Sequence, residues 1–213
     1  MPSYQPEAYQ KPGCPIIVDL NGDGLITVED VDMKNVIPSL YWGFGNTFTY
    51  KNWDLDVFIY SQLGVDKYND VYSWTSGRGL GNQTNNMSVY IKDVWHSELN
   101  PNGTIPGIAY EMASVSLPGG AGTDIGYENS SFVRVRNITL GYNFKPNQLG
   151  ALSKLLSGIR VYVDVQNPFT FTGYTGLDPE VNTGGNYKGG KAEYPQTRTS
   201  VSYTHLRAHE TLR

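Results

Sequence analysis

Asp19, Asn21 and Asp23 stand two residues apart in the stretch "DLNGDGLITVED", Gly24 follows, and Asp30 closes at the twelfth position. A hard cation wants about six to eight oxygens, and alternating acidic or amide residues can deliver them from one tight turn. In the EF-hand scheme the ligands are the side chains of Asp19, Asn21 and Asp23, the Leu25 carbonyl, Thr27 directly or through water, and Asp30. A closing Asp reaches less far than the usual Glu, so the ion expected is a structural calcium of modest affinity. The same residues also make an Asx-rich turn capped by its own side chains, with no ion. The flanks differ from those of a calcium sensor. Pro12, Pro15 and "IIV" precede the loop and "PSLYWGF" follows it, where a sensor carries amphipathic helices. Only "TVEDVDMKN" can give a helical turn. A single loop of this kind reads as a stiffener of a surface loop; a dockerin-like adhesion module would need a second one.

A second constellation lies between residues 64 and 130. Tyr68, Tyr72, Trp74 and Trp95 are interspersed with Asn69, Asp70, Asn82, Gln83, Asn85 and Asn86. Flat rings suit the apolar faces of sugars and amides suit hydroxyls, so these aromatics are the substrate-binding candidates. Packing of the loop on itself, or against a neighbouring protein, uses the same residues. No catalytic set emerges. His96, His205 and His209 are the only histidines, and no Ser/His/Asp or paired-carboxylate arrangement is recoverable. "GGNYKGGK", with Lys188 and Lys191, lacks the strand and the Ser/Thr of a phosphate loop. The chain is read as not an enzyme.

The elements that must position these residues are strands. Aromatics make up 13% of the 213 residues, Gly numbers 24 and Pro 12, and charged residues are only 17%, which favours strands and turns over surface helices. The net charge of −4 supplies no electrostatic case for nucleic acid. Cys14 is the only cysteine, so no disulfide forms within the chain. The N-terminus has no apolar core of a signal peptide, and no run approaches a spanning helix. In "LYWGFGNTFTY" Leu40, Trp42, Phe44, Phe48 and Tyr50 share one parity, which predicts a strand over 40–50. A two-residue turn at 51–52 leads to a second strand over 53–60, with aromatics gathered near the turn. Over 131–144 the apolar parity switches from Val133 and Val135 to Ile138, Leu140 and Tyr142, which predicts a bulge near Arg136 or Asn137. Residues 159–167 set Ile159, Val161, Val163 and Val165 against Arg160, Tyr162, Asp164 and Gln166, and a last strand falls near 197–206. "QLGALSKLL" suits one or two helical turns, and "MSVYIKDVW" a short helix. Short turns at one end and long loops, 64–130 and 168–196, at the other give the asymmetry of an outer-membrane barrel with an apolar outside and a polar lumen. Arg134, Arg136, Arg160, Asp164 and Gln166 are then read as solvated wall or plug contacts. About five strands cannot close a barrel, so the expected fold is all-β, antiparallel and part of a larger transmembrane β-barrel.

The motifs "PSLYWGFGNTFTYKNWDLDVFIYSQLGVDKYN", "NSSFVRVRNITLGYNF", "IRVYVDVQNPFTFTGYTGLDPEV" and "YPQTRT" occur here in fixed order. Together with the acidic stretch they resemble the C-terminal end of SusC/RagA-type TonB-linked outer-membrane proteins, over residues 11 to 199. The resemblance implies a barrel of about 22 strands with an internal plug. It also implies a SusD-like surface lipoprotein as lid, TonB as energy source through a missing N-terminal part, glycans or peptides as cargo, and the Gram-negative outer membrane as location. On this reading residues 1–38 are an extracellular loop carrying the acidic turn, and 39–199 are the C-terminal part of the barrel. The end of "SVSYTHLRAHETLR" fits no barrel strand, because His205, Arg207, His209, Glu210 and Arg213 charge both of its faces. Residues 200–213 are therefore expected to be a non-native tail. The competing reading is a secreted, calcium-stabilised β-sandwich carbohydrate-binding module. The two part at 53–59 and 159–165, whose apolar side chains face lipid in a barrel and a second sheet in a sandwich.

Overall fold

The computed structural model describes residues 3–5, 7, 10, 12–69, 89–107, 124–180, 188–189 and 196–208. Its main sheet has five antiparallel strands in the order β1 (Leu40–Tyr50), β2 (Trp53–Leu63), β5 (Phe132–Phe144), β6 (Leu156–Thr172) and β8 (Thr199–Ala208). Each strand pairs with the one before it in this order, an up-and-down meander. Three short strands form a second sheet in the order β4 (Tyr127–Asn129), β3 (Asp66–Asn69) and β7 (Lys188–Gly189). This small sheet occupies stretches whose sequence lacks any period, because strands of two to four residues carry too few side chains to show one.

The long strands form where alternation is strict, and they run further than the side-chain pattern. β2 continues to Leu63 and β6 runs 17 residues to Thr172. A spanning strand needs about 9–11 residues, so β6 is long enough to stand clear of a bilayer at one end. The turn at 51–52 is tight, with Tyr50 opposite Trp53 and Lys51 held at φ 57. Between β5 and β6 the chain makes two 3-10 turns, Pro146–Gln148 and Gly150–Lys154. Asn52 donates to the Gln148 side chain at 2.8 Å, so the two short connections are joined at one end of the sheet.

The expected bulge is present. Phe58 opposes Asn137 while Ile59 opposes Val135, which leaves Arg136 as the extra residue in β5. One extra residue inverts the parity. Val133 and Val135 thereby return to the face of Ile138, Leu140 and Tyr142, where their neighbours are Ser61, Ile59, Phe171 and Phe169. At the same level β6 carries Asn167 at φ 49.

Most apolar strand positions thus fall on one face, Phe58 and Phe132 being exceptions, and among the described residues nothing covers it. Phe48, Leu140, Val163 and Phe171 are 57, 45, 46 and 62% exposed. Among the described residues five apolar side chains are buried and 30 large ones are exposed, the inverse of a water-soluble domain. Neither sheet screens the face of Val161 and Val163, so the sandwich reading, which requires that, is set aside. Trp53, Tyr142 and Phe144 cluster on this face beside the short turns, with ring centroids 4.8 and 4.6 Å apart.

β8 crosses Ser200 and pairs with β6 as far as Ala208, so the backbone does extend into the stretch whose charges argued against a strand. Its side chains are out of phase with the sheet. Ser202 and Thr204 oppose Val163 and Val161 on the apolar face, while Tyr203 stacks on Tyr162 at 5.2 Å on the polar one. Backbone pairing alone can make such a strand.

Candidate functional site

The opposite face is mainly polar. Beside the short turns Arg160 pairs with Asp54, Asn143 donates to Asp54 at 2.6 Å, and Thr139 donates to Asp164 at 2.7 Å. Thr47 donates to Asp56 at 3.1 Å. A large apolar ring on this face, Phe58, lies against Gly43 and Gly45, where an added Cβ would meet ring atoms at 3.5 Å, an ordinary van der Waals contact.

Towards the other end the same face carries a buried ionic cluster. Arg134 points to the polar side because β5 alternates, and it is 1% exposed. One terminal nitrogen holds both Asp178 oxygens at 2.9 and 3.0 Å, the other holds Glu180 at 2.6 Å, and Nε donates to Thr170 at 2.9 Å. Tyr60 donates its hydroxyl to Glu180, and Arg136 stands 3.7 Å from that carboxylate. The Asp178 oxygens also accept from the N–H groups of Glu180 and Gln196, at 2.8 and 2.9 Å. Burial pushes the Asp178 carboxyl up, but these N–H groups and the guanidinium outweigh it and hold it below its ordinary value. Arg134 is thus a buried clamp and not the solvated wall residue that the sequence suggested. The missed signal is the acidic pair in "GLDPEV", which follows the strand neighbouring Arg134. Arg136, Arg160 and Gln166 are at least partly exposed, as expected of a wall.

In the acidic turn the structure uses the candidate ligands as caps. Asp19 accepts from the N–H groups of Gly22 and Gly24 at 2.7 and 2.8 Å. Asn21 accepts from Asp23, and Asp23 from Leu25. Asp30 accepts from Leu20 and Thr27 at 2.8 and 2.7 Å, while Thr27 caps the 3-10 turn Val28–Asp30. The Thr27 N–H foremost, with those of Leu20 and Asn21 and against desolvation, lowers the Asp30 carboxyl below its ordinary value. Among the described residues no group of three or more His, Cys, Asp or Glu stands close enough to hold a metal. The turn is braced by its own hydrogen bonds.

Of the aromatic candidates, Tyr72 and Trp74 lie outside the described residues. Tyr68 sits in β3, 9% exposed, with its ring 5.1 Å from that of Tyr127. Trp95 rests on glycines: a Cβ added to Gly13, which has φ 84, would meet the indole at 2.4 Å, and one on Gly107 at 3.2 Å. Both described rings pack against the protein in this structure.

No family model matches the chain. Comparison with curated proteins finds the "TonB-dependent receptor P3" of Formosa agariphila, 30% identical over 90% of this chain and 17% of the relative. The "TonB-dependent receptor SusC" of Bacteroides thetaiotaomicron is 33% identical over 85% of this chain and again 17% of the relative. The chain therefore spans 17% of the length of each of these relatives. Among solved structures, the RagAB peptide importer in its closed-closed state superposes with a TM-score of 0.66 at 25% identity, over 81% of this chain and 18% of that one.

Proposed function

Because this chain belongs to the SusC/RagA-type TonB-dependent receptors, we propose that it supplies part of the wall of their outer-membrane barrel. Lipid lies against the face of Val161 and Val163, and the lumen against that of Asp54 and Asp164. The uncovered apolar face carries this reading: a continuous band of Val, Ile, Leu and aromatic side chains is stable in hydrocarbon and not in water. Spin labels placed singly at residues 161 to 164 of the intact receptor test it. Collisions with lipid-soluble oxygen are expected at 161 and 163, and with a water-soluble nickel chelate at 162 and 164. Equal access at all four positions would sink the assignment.

The working receptor imports oligosaccharides or peptides, closed by a SusD-like surface lipoprotein and driven by TonB. Support comes from the relatives, one a SusC and one described as a peptide importer. Co-purification from the native membrane, followed by uptake assays with labelled glycan and labelled peptide arms, separates the cargo classes. A receptor that purifies without any lipoprotein and still transports would remove the lid.

A further inference from the structure

The segment after β6, residues 173–180, does not leave the sheet; it doubles back across the polar face. Arg134 on β5 holds its Asp178 and Glu180 as described above. Lys67 on β3 donates to the Asp178 carbonyl at 3.1 Å and stands over the Tyr174 ring at 5.3 Å. Thr175 donates its hydroxyl to Glu128 at 2.8 Å. The strap therefore ties the large sheet to the small one. Its footing is all-or-none in character, since a guanidinium 1% exposed between two carboxylates is stable only while both remain. Losing them leaves a buried charge that must be rewetted, which requires the strap to lift.

We infer that residues 173–180 are an ionic latch, an inward shelf clamped on the lumen wall by Arg134 that narrows the mouth of the lumen away from the short turns and swings clear when Asp178 and Glu180 leave the arginine. This rests on the barrel reading. Leu177, 55% exposed and outside the latch contacts, is the reporter position. A nitroxide at Leu177→Cys in the intact receptor, with other cysteines replaced, is expected to show the restricted motion of an ordered backbone in the parent. Its motion should quicken about tenfold in Arg134→Gln and in the paired change Asp178→Asn with Glu180→Gln. The folded, heat-sensitive band on gels should persist in all of these. An unchanged spectrum with that band retained overturns the latch. If both changes cost the band, Asp178→Asn alone, which leaves Glu180 on Arg134, decides by the same criterion. A parent receptor with no such band overturns the barrel reading instead.

Discussion

With 1% of its surface exposed, Arg134 is the residue whose loss should be felt most on this wall. Removing one partner of a buried pair strands the other, at about 3–5 kcal/mol. Arg134→Met in the intact receptor is expected to lower the temperature at which the folded gel band disappears, whereas Arg136→Met, at a half-exposed site, should leave it nearly unchanged. The pH dependence follows from Asp178. Its folded value lies below the ordinary 3.8, so it contributes stability above that value and loses it as pH falls through the folded one. The charged and titratable groups around it are Arg134, Arg136, Glu180, Tyr60 and Lys67. A label at 177 should read the same from neutrality down to about pH 4 and loosen below it. In the acidic turn, Asp30→Ala removes the acceptor for two N–H groups and is expected to speed proteolysis near Asp19. Calcium at this turn is proposed from ligand spacing alone. Chelation should speed the same cleavage, and no change would remove the ion.

At the scale of elements, the bulge fixes which side chains of β5 share the apolar face. Deleting Arg136 would carry Arg134 to the apolar side and Val133 to the lumen, so the deletion is expected to abolish the folded band, while Arg136→Gly, which keeps the extra residue, should be tolerated. The alternation of β6 makes a paired forecast. Val163→Arg places a charge against lipid at about 2–4 kcal/mol if near the midplane, whereas Asp164→Arg on the lumen face should cost far less. Outer-membrane levels of the two variants read this difference. β8 shows the limit of reading strands from side chains. Its hydrogen bonds follow β6, yet Ser202 and Thr204 interrupt the apolar band, which supports the proposal that the native receptor diverges from this sequence near Ser200. Sequencing across that junction in the native locus is decisive.

For the whole molecule, the five-stranded sheet has, among the described residues, an apolar face open to its surroundings and unpaired edges at β1 and β8. Expressed by itself the chain is expected to aggregate in water. A soluble monomer with a sharp cooperative melt would contradict the reading.

Period-two alternation over 40–50, 53–60, 131–144 and 159–167 was enough to set strand identity, facing and the bulge, because each of these depends on side-chain order along one strand. The spacing of Asp19, Asn21, Asp23 and Asp30 likewise announced a tight acidic turn. The Arg134 cluster was not legible. It joins residues 44 and 46 positions apart in the chain, and no local rule relates a strand arginine to carboxylates beyond the next strand. The same holds for the glycine seat of Trp95. Order along the chain decided which side chains share a face; only the folded sheet decided which distant charges close on one another, since that depends on where a strap returns in space.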